Sequence, residues 1–132
     1  MKRFILLFLS VSLSLFGYAQ AGYQSNTKET VASPDSNAKY RLFQTNNRWT
    51  FLKLNTSNGV ITHVQYSTDG KSMEYSLNPT PLVVDELAKP GRFFLYPTEN
   101  TYNFLLLDQE DGRVWQVQWN IDADKRGIWR IY

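Results

Sequence analysis

Cysteine is absent from this 132-residue chain, histidine occurs once and methionine twice. The lack of cysteine excludes disulfide bonds, thiolate metal sites, a cysteine nucleophile and a lipid-bearing cysteine. A histidine metal cluster is excluded as well, and a serine triad would have to use the single histidine, His63. Stability must therefore come from packing. No catalytic or cofactor motif stands out, so we expect neither enzyme activity nor a cofactor.

The chain also lacks a hydrophobic run long enough to span a membrane. Its longest apolar run, Phe4 to Phe16, has 13 residues, whereas a transmembrane helix needs about 20. Two basic residues precede the run, and small residues follow it at Ala19 and Ala21, which is the pattern of a cleaved secretory signal. We therefore predict a signal peptide over residues 1–19, with cleavage after residue 21 as an alternative. After cleavage we expect a protein without a transmembrane segment. We expect it to be exported to the bacterial periplasm, the cell surface or the medium.

An excess of charge of one sign is missing too. Removal of the predicted signal peptide leaves 12 of the 14 basic residues against 12 acidic residues, so the exported chain carries no net charge. Proteins that bind nucleic acid use an excess of Lys and Arg against the phosphates. We therefore expect no nucleic-acid partner.

The segment after the predicted signal has almost no large apolar side chains. Residues 20–39 are instead rich in Ser, Thr and Asn. Such a composition buries too little apolar surface to offset the entropy cost of ordering the chain. We predict a flexible leader over residues 20–39, followed by a single domain over residues 40–132.

An internal repeat organises that domain. With a shift of 53 residues and no gap, segment 41–66 aligns with segment 94–119 at nine identities in 26 positions. A gap-free repeat of this length indicates a duplicated supersecondary unit. The two repeats span residues 40–78 and 92–132.

Turn signals divide each repeat into strands. Each repeat has a polar turn containing Thr and Asn, and a second turn that ends in Gly59 or Gly112. A glycine in the left-handed conformation closes hairpins of this kind. The residues between the turns are aromatic, β-branched and alternating, which is typical of strands. This pattern predicts an all-β fold with eight strands near residues 40–44, 48–55, 60–67, 73–78, 92–96, 101–108, 113–120 and 127–132.

The hairpins also predict a register and a core face. Counting back from the first loop places Phe51 opposite Val64. The same count places Phe104 opposite Val117 in the second hairpin. We expect the two tandem four-stranded antiparallel units to bury equivalent faces in a pseudo-twofold β-sandwich or a small barrel. The predicted core face consists of Trp49, Phe51, Val64, Tyr66, Tyr102, Phe104, Leu106, Trp115, Val117 and Trp119.

Surface candidates follow from this face assignment. The opposite face is apolar near the turns, at Leu52 and Leu105 in particular, and two such patches left in water would be unusually large for a soluble monomer. We expect the crossover at residues 82–87 to cover one patch and a partner to cover the other. The aromatic residues that the predicted core constrains least, and that we expect on a contact surface, are Tyr40, Trp129 and Tyr132.

The polar candidates have simpler structural interpretations. His63 has Gln116 as its counterpart in the second repeat and lacks a partner that would tune its pKa, so we expect a solvated strand residue. Loop carboxylates suit calcium, but the first repeat has neutral Asn and Ser in the corresponding turn, which favours turn capping over metal binding. The weak calcium candidates are Asp108, Glu110, Asp111, Asp122 and Asp124.

The segments WTFLKLNTSNG (49–59) and YNFLLLDQEDGRVWQVQW (102–119) resemble a hairpin repeat of small exported Bacteroidota proteins without assigned function. The stretch LLLDQEDGRVW is also similar to the hairpins of quinoprotein-type propeller blades. This resemblance covers the two hairpins and implies a fold element and a compartment, not an activity. Closed propellers need at least about four blades, so two repeats favour a sandwich or small barrel.

These observations favour a non-catalytic interaction module or accessory subunit of the bacterial envelope. Its partner would be another envelope protein or a second copy of itself. Carbohydrate binding is the first alternative, because exposed Trp and Tyr rings can stack on sugar rings. A small hydrolase is the second alternative, although no pair of carboxylates has the spacing expected of a glycosidase.

Overall fold

The computed structural model describes residues 35–132. The predicted signal peptide and residues 20–34 of the predicted leader lie outside the described residues. The described chain is all-β, as predicted, and all eight expected strands are present in two sheets. The first sheet contains β1 (Tyr40–Gln44), β2 (Thr50–Asn55), β3 (Ile61–Gln65) and β4 (Met73–Asn78). The second sheet contains β5 (Phe93–Pro97), β6 (Asn103–Asp108), β7 (Val114–Gln118) and β8 (Gly127–Ile131).

Each sheet is an antiparallel meander in which neighbouring strands follow chain order. Phe51 pairs with Val64 and Phe104 pairs with Val117, so the predicted hairpin register is confirmed. Two single-turn 3-10 helices interrupt the strands within residues 35–132, at Asp85–Leu87 and before β8. The first of them lies in the crossover that joins the two sheets.

The hairpin turns use the residues that the sequence indicates. Gly59 and Gly112 have φ angles of +78° and +76°, in the left-handed region that glycine tolerates. Before each glycine, the side chain of Asn55 or Asp108 accepts the N–H two residues later, at 3.0 and 3.1 Å. The β2–β3 and β6–β7 hairpins therefore close in the same way.

The two sheets pack face to face as a sandwich, in the same orientation. β4 lies beside β8, and β2 lies beside β5. The starts of β1 and β5 meet at one end, since the Thr56 N–H donates to the Lys39 carbonyl at 2.9 Å and the Phe93 N–H donates to the Thr56 carbonyl at 2.8 Å. The β1–β2 and β5–β6 turns meet at the other end. Strand order and direction are therefore preserved from the first sheet to the second.

The core takes opposite faces from the two repeats. The predicted core face of the second sheet is buried apart from Tyr102, and Phe104 and Val117 lie at its centre. In the first sheet the prediction is wrong, because Phe51 and Val64 are only partly buried and the other face is covered instead. The residues that the first sheet buries on its inner face include Phe43, Thr50, Leu52, Leu54, Ile61 and His63.

This arrangement stacks the repeats front to back in place of the expected twofold relation. A twofold axis would bring equivalent faces together, whereas Leu52 is 0% exposed and its equivalent Leu105 is 37% exposed. Both faces of β2 carry large apolar side chains, but Lys53 lies on the face of Phe51 and pairs there with Glu74. The second sheet covers the other face, that of Leu52.

The crossover covers part of the first sheet's inner face. Val83 is buried and Leu82 packs against the core, whereas Val84 and Leu87 point to solvent. The cover for Leu52 and its neighbours is intramolecular, but the second sheet provides most of it. The resulting core is one cluster formed by Phe43, Leu52, Leu54, Ile61, Leu77, Val83, Phe93, Leu95, Phe104, Leu106, Trp115, Val117 and Trp119.

Candidate functional site

The outer face of the second sheet is open to solvent apart from its β5 edge, where Phe94 contacts the first sheet. Cross-strand pairs place side chains from β5, β6, β7 and β8 next to one another on this face, for example Leu105 between Tyr96 and Gln116. Gln116 in turn pairs with Trp129 on β8. We term this surface the second outer face; it consists of Phe94, Tyr96, Leu105, Leu107, Val114, Gln116, Trp129 and Ile131.

The second outer face is an exposed apolar surface held on regular strands. Tyr96, Trp129 and Ile131 are each about half exposed, at 45%, 51% and 46%. Contiguous apolar surface of this kind marks interaction sites on soluble proteins. Trp129 and Leu105, which the sequence predicts as contact residues, lie together here. Tyr96 and Ile131 are further exposed members that were not predicted, although both alternate with buried or polar neighbours along their strands.

The first sheet has its own outer face, which is more polar. We term this surface the first outer face; it consists of Tyr40, Leu42, Trp49, Phe51, Lys53, Thr62, Val64, Tyr66 and Glu74. Lys53 and Glu74 form an ion pair across its strands. The rings of Trp49 and Tyr66 pack together with centroids 5.1 Å apart. This face therefore combines exposed aromatic and aliphatic side chains with one charged pair.

The predicted contact residues do not form one surface. Tyr40 lies on the first outer face, Trp129 lies on the second outer face, and Tyr132 follows β8 with its side chain in solvent. The sandwich separates the two outer faces. Leu52 is completely buried by the second sheet, so its prediction as a contact residue is wrong.

His63 is a core residue, and the expectation of a solvated histidine is wrong. Its ring lies 4.4 Å from Tyr75 and 5.7 Å from Trp119, centroid to centroid. Neither ring nitrogen makes a hydrogen bond of full geometry among residues 35–132, although the Asn120 backbone favours the protonated ring. Burial, together with the positive charge of Arg126, lowers the pKa of His63 below its ordinary value of 6.5. The neutral imidazole thus packs between two aromatic rings.

A buried ion pair occupies the end of β6, where the sequence suggested a calcium ligand. The Arg92 guanidinium donates to Asp108 through Nε at 3.0 Å and through Nη2 at 2.8 Å, and both side chains are buried. Burial alone would raise the pKa of Asp108, but the hydrogen bonds from Arg92 and from the amide of Glu110 lower it below its usual range. Asp108 is therefore an ionised structural residue that fixes the β6–β7 turn to the start of β5.

The five calcium candidates do not converge. Glu110 and Asp111 join Asp108 in ion pairs with Arg92 and Arg113 at one end of β7. The other two candidates, Asp122 and Asp124, follow the opposite end of β7. The described residues contain no group of three or more His, Cys, Asp or Glu side chains that could hold a metal ion.

An open cleft of about 360 Å³ lies at the end of the sandwich where the β1–β2 and β5–β6 turns meet. The ring of Tyr102 is 47% exposed there. Amide side chains surround it, although Asn47 uses its oxygen to accept the Trp49 N–H at 2.9 Å. An aromatic ring beside amides can stack on a sugar and hydrogen-bond to its hydroxyls. The lining residues are Asn46, Asn47, Thr101, Tyr102, Trp119, Asn120 and Ile121.

Comparison with protein-family models, curated proteins and solved structures found no match for this chain. Within residues 35–132, no helix is long and apolar enough to cross a bilayer.

Proposed function

We propose that this protein is a non-catalytic, exported interaction module that binds a protein partner through the second outer face. One observation carries the proposal. Leu105 and Trp129 remain exposed on the second outer face. Leu52, the equivalent of Leu105, is completely buried, and Tyr75, which pairs with His63 as Trp129 pairs with Gln116, packs against the buried His63 ring. A surface with the residue pattern of a buried interface is thus open to a partner.

The anchors of this face are held in place before binding. Phe94 packs edge-on against Phe43 at 5.3 Å and lies under the Arg41 guanidinium at 4.9 Å. Phe94 also contacts Tyr96, with ring centroids 4.7 Å apart. Aromatic side chains that are already fixed lose little conformational entropy on association, and they dominate the binding energy of many interfaces.

The proposed export rests on the N-terminal sequence pattern. A basic pair, a short apolar run and small residues at Ala19 and Ala21 are what signal peptidases require. The absence of net charge in the remaining chain also fits a partner recognised by apolar contact. Partial sequencing of the N-terminus of protein recovered from a cell-envelope fraction would locate the cut.

Capture from envelope extract tests the binding function. Tagged wild-type protein is compared with Leu105→Asp, which places a charge on the second outer face, and with Val84→Asp, which places one on the exposed crossover. We expect wild type and Val84→Asp to retain the same bound protein and Leu105→Asp to lose it. Equal retention by all three proteins would refute the use of this face.

Carbohydrate binding is the second candidate, and the cleft favours it. The exposed ring of Tyr102 lies among amide side chains in an open cleft that a sugar could enter. A glycan array with wild type, Tyr102→Ala and Leu105→Asp separates the two functions. Binding that Tyr102→Ala abolishes and Leu105→Asp leaves intact would favour the cleft over the second outer face.

A further inference from the structure

The two outer faces have a defined relation to the interface inside the sandwich. Positions 53 residues apart are equivalent in the two repeats. Residues on the first outer face have buried equivalents in the second sheet: Leu42 corresponds to Leu95, and Val64 to Val117. Tyr40, Phe51 and Tyr66 likewise correspond to the buried Phe93, Phe104 and Trp119, whereas Trp49, at the end of its sheet, corresponds to the exposed Tyr102.

The second outer face obeys the reverse rule. Leu105 corresponds to the buried Leu52, and Tyr96 to the buried Phe43. Leu107 and Val114 are equivalent to Leu54 and Ile61, which are completely buried. Inside the chain, the face of the Leu52 type packs against the face of the Leu95 type. Each outer face is therefore a copy of one side of the intrachain interface, and the two copies are complementary to each other.

We propose that the second outer face of one molecule packs against the first outer face of another copy, which repeats the intrachain stacking between chains. This inference rests on the proposed binding function and names its partner as a second copy of the chain. The contact is head to tail, because the two surfaces that meet are different. Strand order and direction are preserved across the intrachain interface, so the same rotation can recur at each new interface.

The polar residues of the two outer faces are compatible with this contact. The first outer face has Lys53 where the second sheet has the buried Leu106, and Lys53 is paired with Glu74. The second outer face has Gln116 where the first sheet has His63, and Gln116 donates to Asn103 at 2.8 Å. Inside the chain His63 lies beside Trp119, with ring centroids 5.7 Å apart, so the same stacking between chains would place Gln116 beside Tyr66, the equivalent of Trp119. The tyrosine hydroxyl is a hydrogen-bond partner for the amide, and Lys53 and Glu74 keep each other as partners.

A repeated head-to-tail rotation either closes into a ring or continues as a filament. Sheets of four antiparallel strands, each stacked on the next in the same orientation, close at about four to eight sheets. With two sheets in each chain, closure requires about two to four copies. We therefore expect a cyclic oligomer of one size.

Light scattering and native mass spectrometry of the protein purified from the cell envelope measure the assembly. Leu42→Asp blocks the first outer face and Leu105→Asp blocks the second, and both positions are exposed in the single chain. Val84→Asp on the crossover is the matched control. We expect wild type and Val84→Asp to have a mass of about two to four chains, and each face variant alone to be monomeric.

Mixing the two face variants tests the head-to-tail geometry. Leu42→Asp keeps an intact second outer face and Leu105→Asp keeps an intact first outer face, so an equimolar mixture should give a dimer with one chain of each. Failure to form this dimer from folded variants would refute the proposal. The proposal would also be refuted if Leu105→Asp were monomeric while Leu42→Asp still assembled like wild type, because that result indicates a symmetric contact between two second outer faces.

The outcome also separates this inference from the proposed function. A monomeric wild-type protein that loses an envelope partner on the Leu105→Asp change refutes self-stacking and leaves the interaction module intact. A monomeric wild-type protein whose capture of envelope partners does not change in Leu105→Asp refutes both the self-stacking and the use of the second outer face. Circular dichroism of each variant confirms folding, and Trp129→Lys replaces Leu105→Asp if that variant does not fold.

Discussion

The β2–β3 hairpin and the β6–β7 hairpin have the same register and close with the same turn chemistry, yet they present opposite faces to the core. Leu52 and Phe104 are buried, whereas their equivalents Leu105 and Phe51 are not fully covered. The difference shows that a hairpin apolar on both faces can serve on either side of an interface. In such a duplication, the copies do not need to meet through a twofold axis.

The sharpest comparison is a charge placed at equivalent leucines. Leu52→Asp buries an unpaired carboxylate in the core. We expect the free energy of unfolding to fall by on the order of 4 kcal/mol or more, which is enough to prevent folding. Leu105→Asp should change the free energy of unfolding by less than about 1 kcal/mol at low protein concentration. Urea denaturation followed by Trp fluorescence measures both. Similar losses at the two positions would mean that the face assignment is wrong.

Truncation of the equivalent phenylalanines gives a smaller contrast. Phe104→Ala removes a buried ring and should cost about 3 to 5 kcal/mol. Phe51→Ala removes a partly buried ring from the first outer face and should cost no more than about 1.5 kcal/mol. Thermal unfolding by circular dichroism, at a concentration where each variant is monomeric, compares them. A larger loss of stability in Phe51→Ala than in Phe104→Ala would mean that the first sheet buries the face predicted from the sequence.

Asn55 and Asp108 are equivalent turn residues with different partners. Asp108→Asn introduces the residue that the first repeat has at the equivalent position, but it leaves the buried Arg92 guanidinium without its carboxylate. We therefore expect the free energy of unfolding to fall by about 3 kcal/mol. Asn55→Asp keeps the oxygen that accepts the Ser57 N–H at a half-buried position, so it should be close to neutral. Chemical denaturation of the two variants tests the difference, and an equally stable Asp108→Asn protein would show that the ion pair contributes no net stability.

The smallest effect concerns pH and the pair His63 and Gln116. The pKa of His63 is lowered in the folded state, so the unfolded chain binds a proton first as the pH falls. The contribution of the neutral His63 to the free energy of unfolding is fully present above pH 6.5. It is lost as the pH falls from 6.5 through the lower pKa of the folded state. In His63→Phe this part of the pH dependence should disappear. Gln116→His, with its ring in solvent, should add none; stability profiles from pH 8 to pH 5 provide the measurement.

Local features of this fold were predictable from the sequence. The glycine turns, the Asn and Asp caps and the alternation of side chains depend on residues close in the chain, and they gave eight strands and a correct hairpin register. The choice of inner face depends on which sheet lies opposite. Phe51 and Leu52 are both apolar, and the signal that separates them is Lys53, which shares the face of Phe51 and favours solvent there.

The same limit applies to the polar residues. His63 was assigned to solvent because its equivalent is Gln116. Equivalent positions differ in burial here, because the two sheets bury opposite faces. Arg92 was missed because its partner, Asp108, lies 16 residues away on the neighbouring strand. The available signal was the pairing of β5 with β6, which sets Phe93 opposite Asp108 and brings the adjacent Arg92 to the end of β6.

The crossover at residues 79–92 makes one stacking interface a property of a single molecule. A covalent link of this length keeps its two sheets at an effective concentration of about millimolar, however dilute the solution. Any contact made by the outer faces has no such link, so it must depend on how much protein the compartment holds. Export into a confined space would favour association, and release into an open medium would favour separate chains. The loop thus makes the inner interface independent of protein concentration, whereas every contact of the outer faces depends on it.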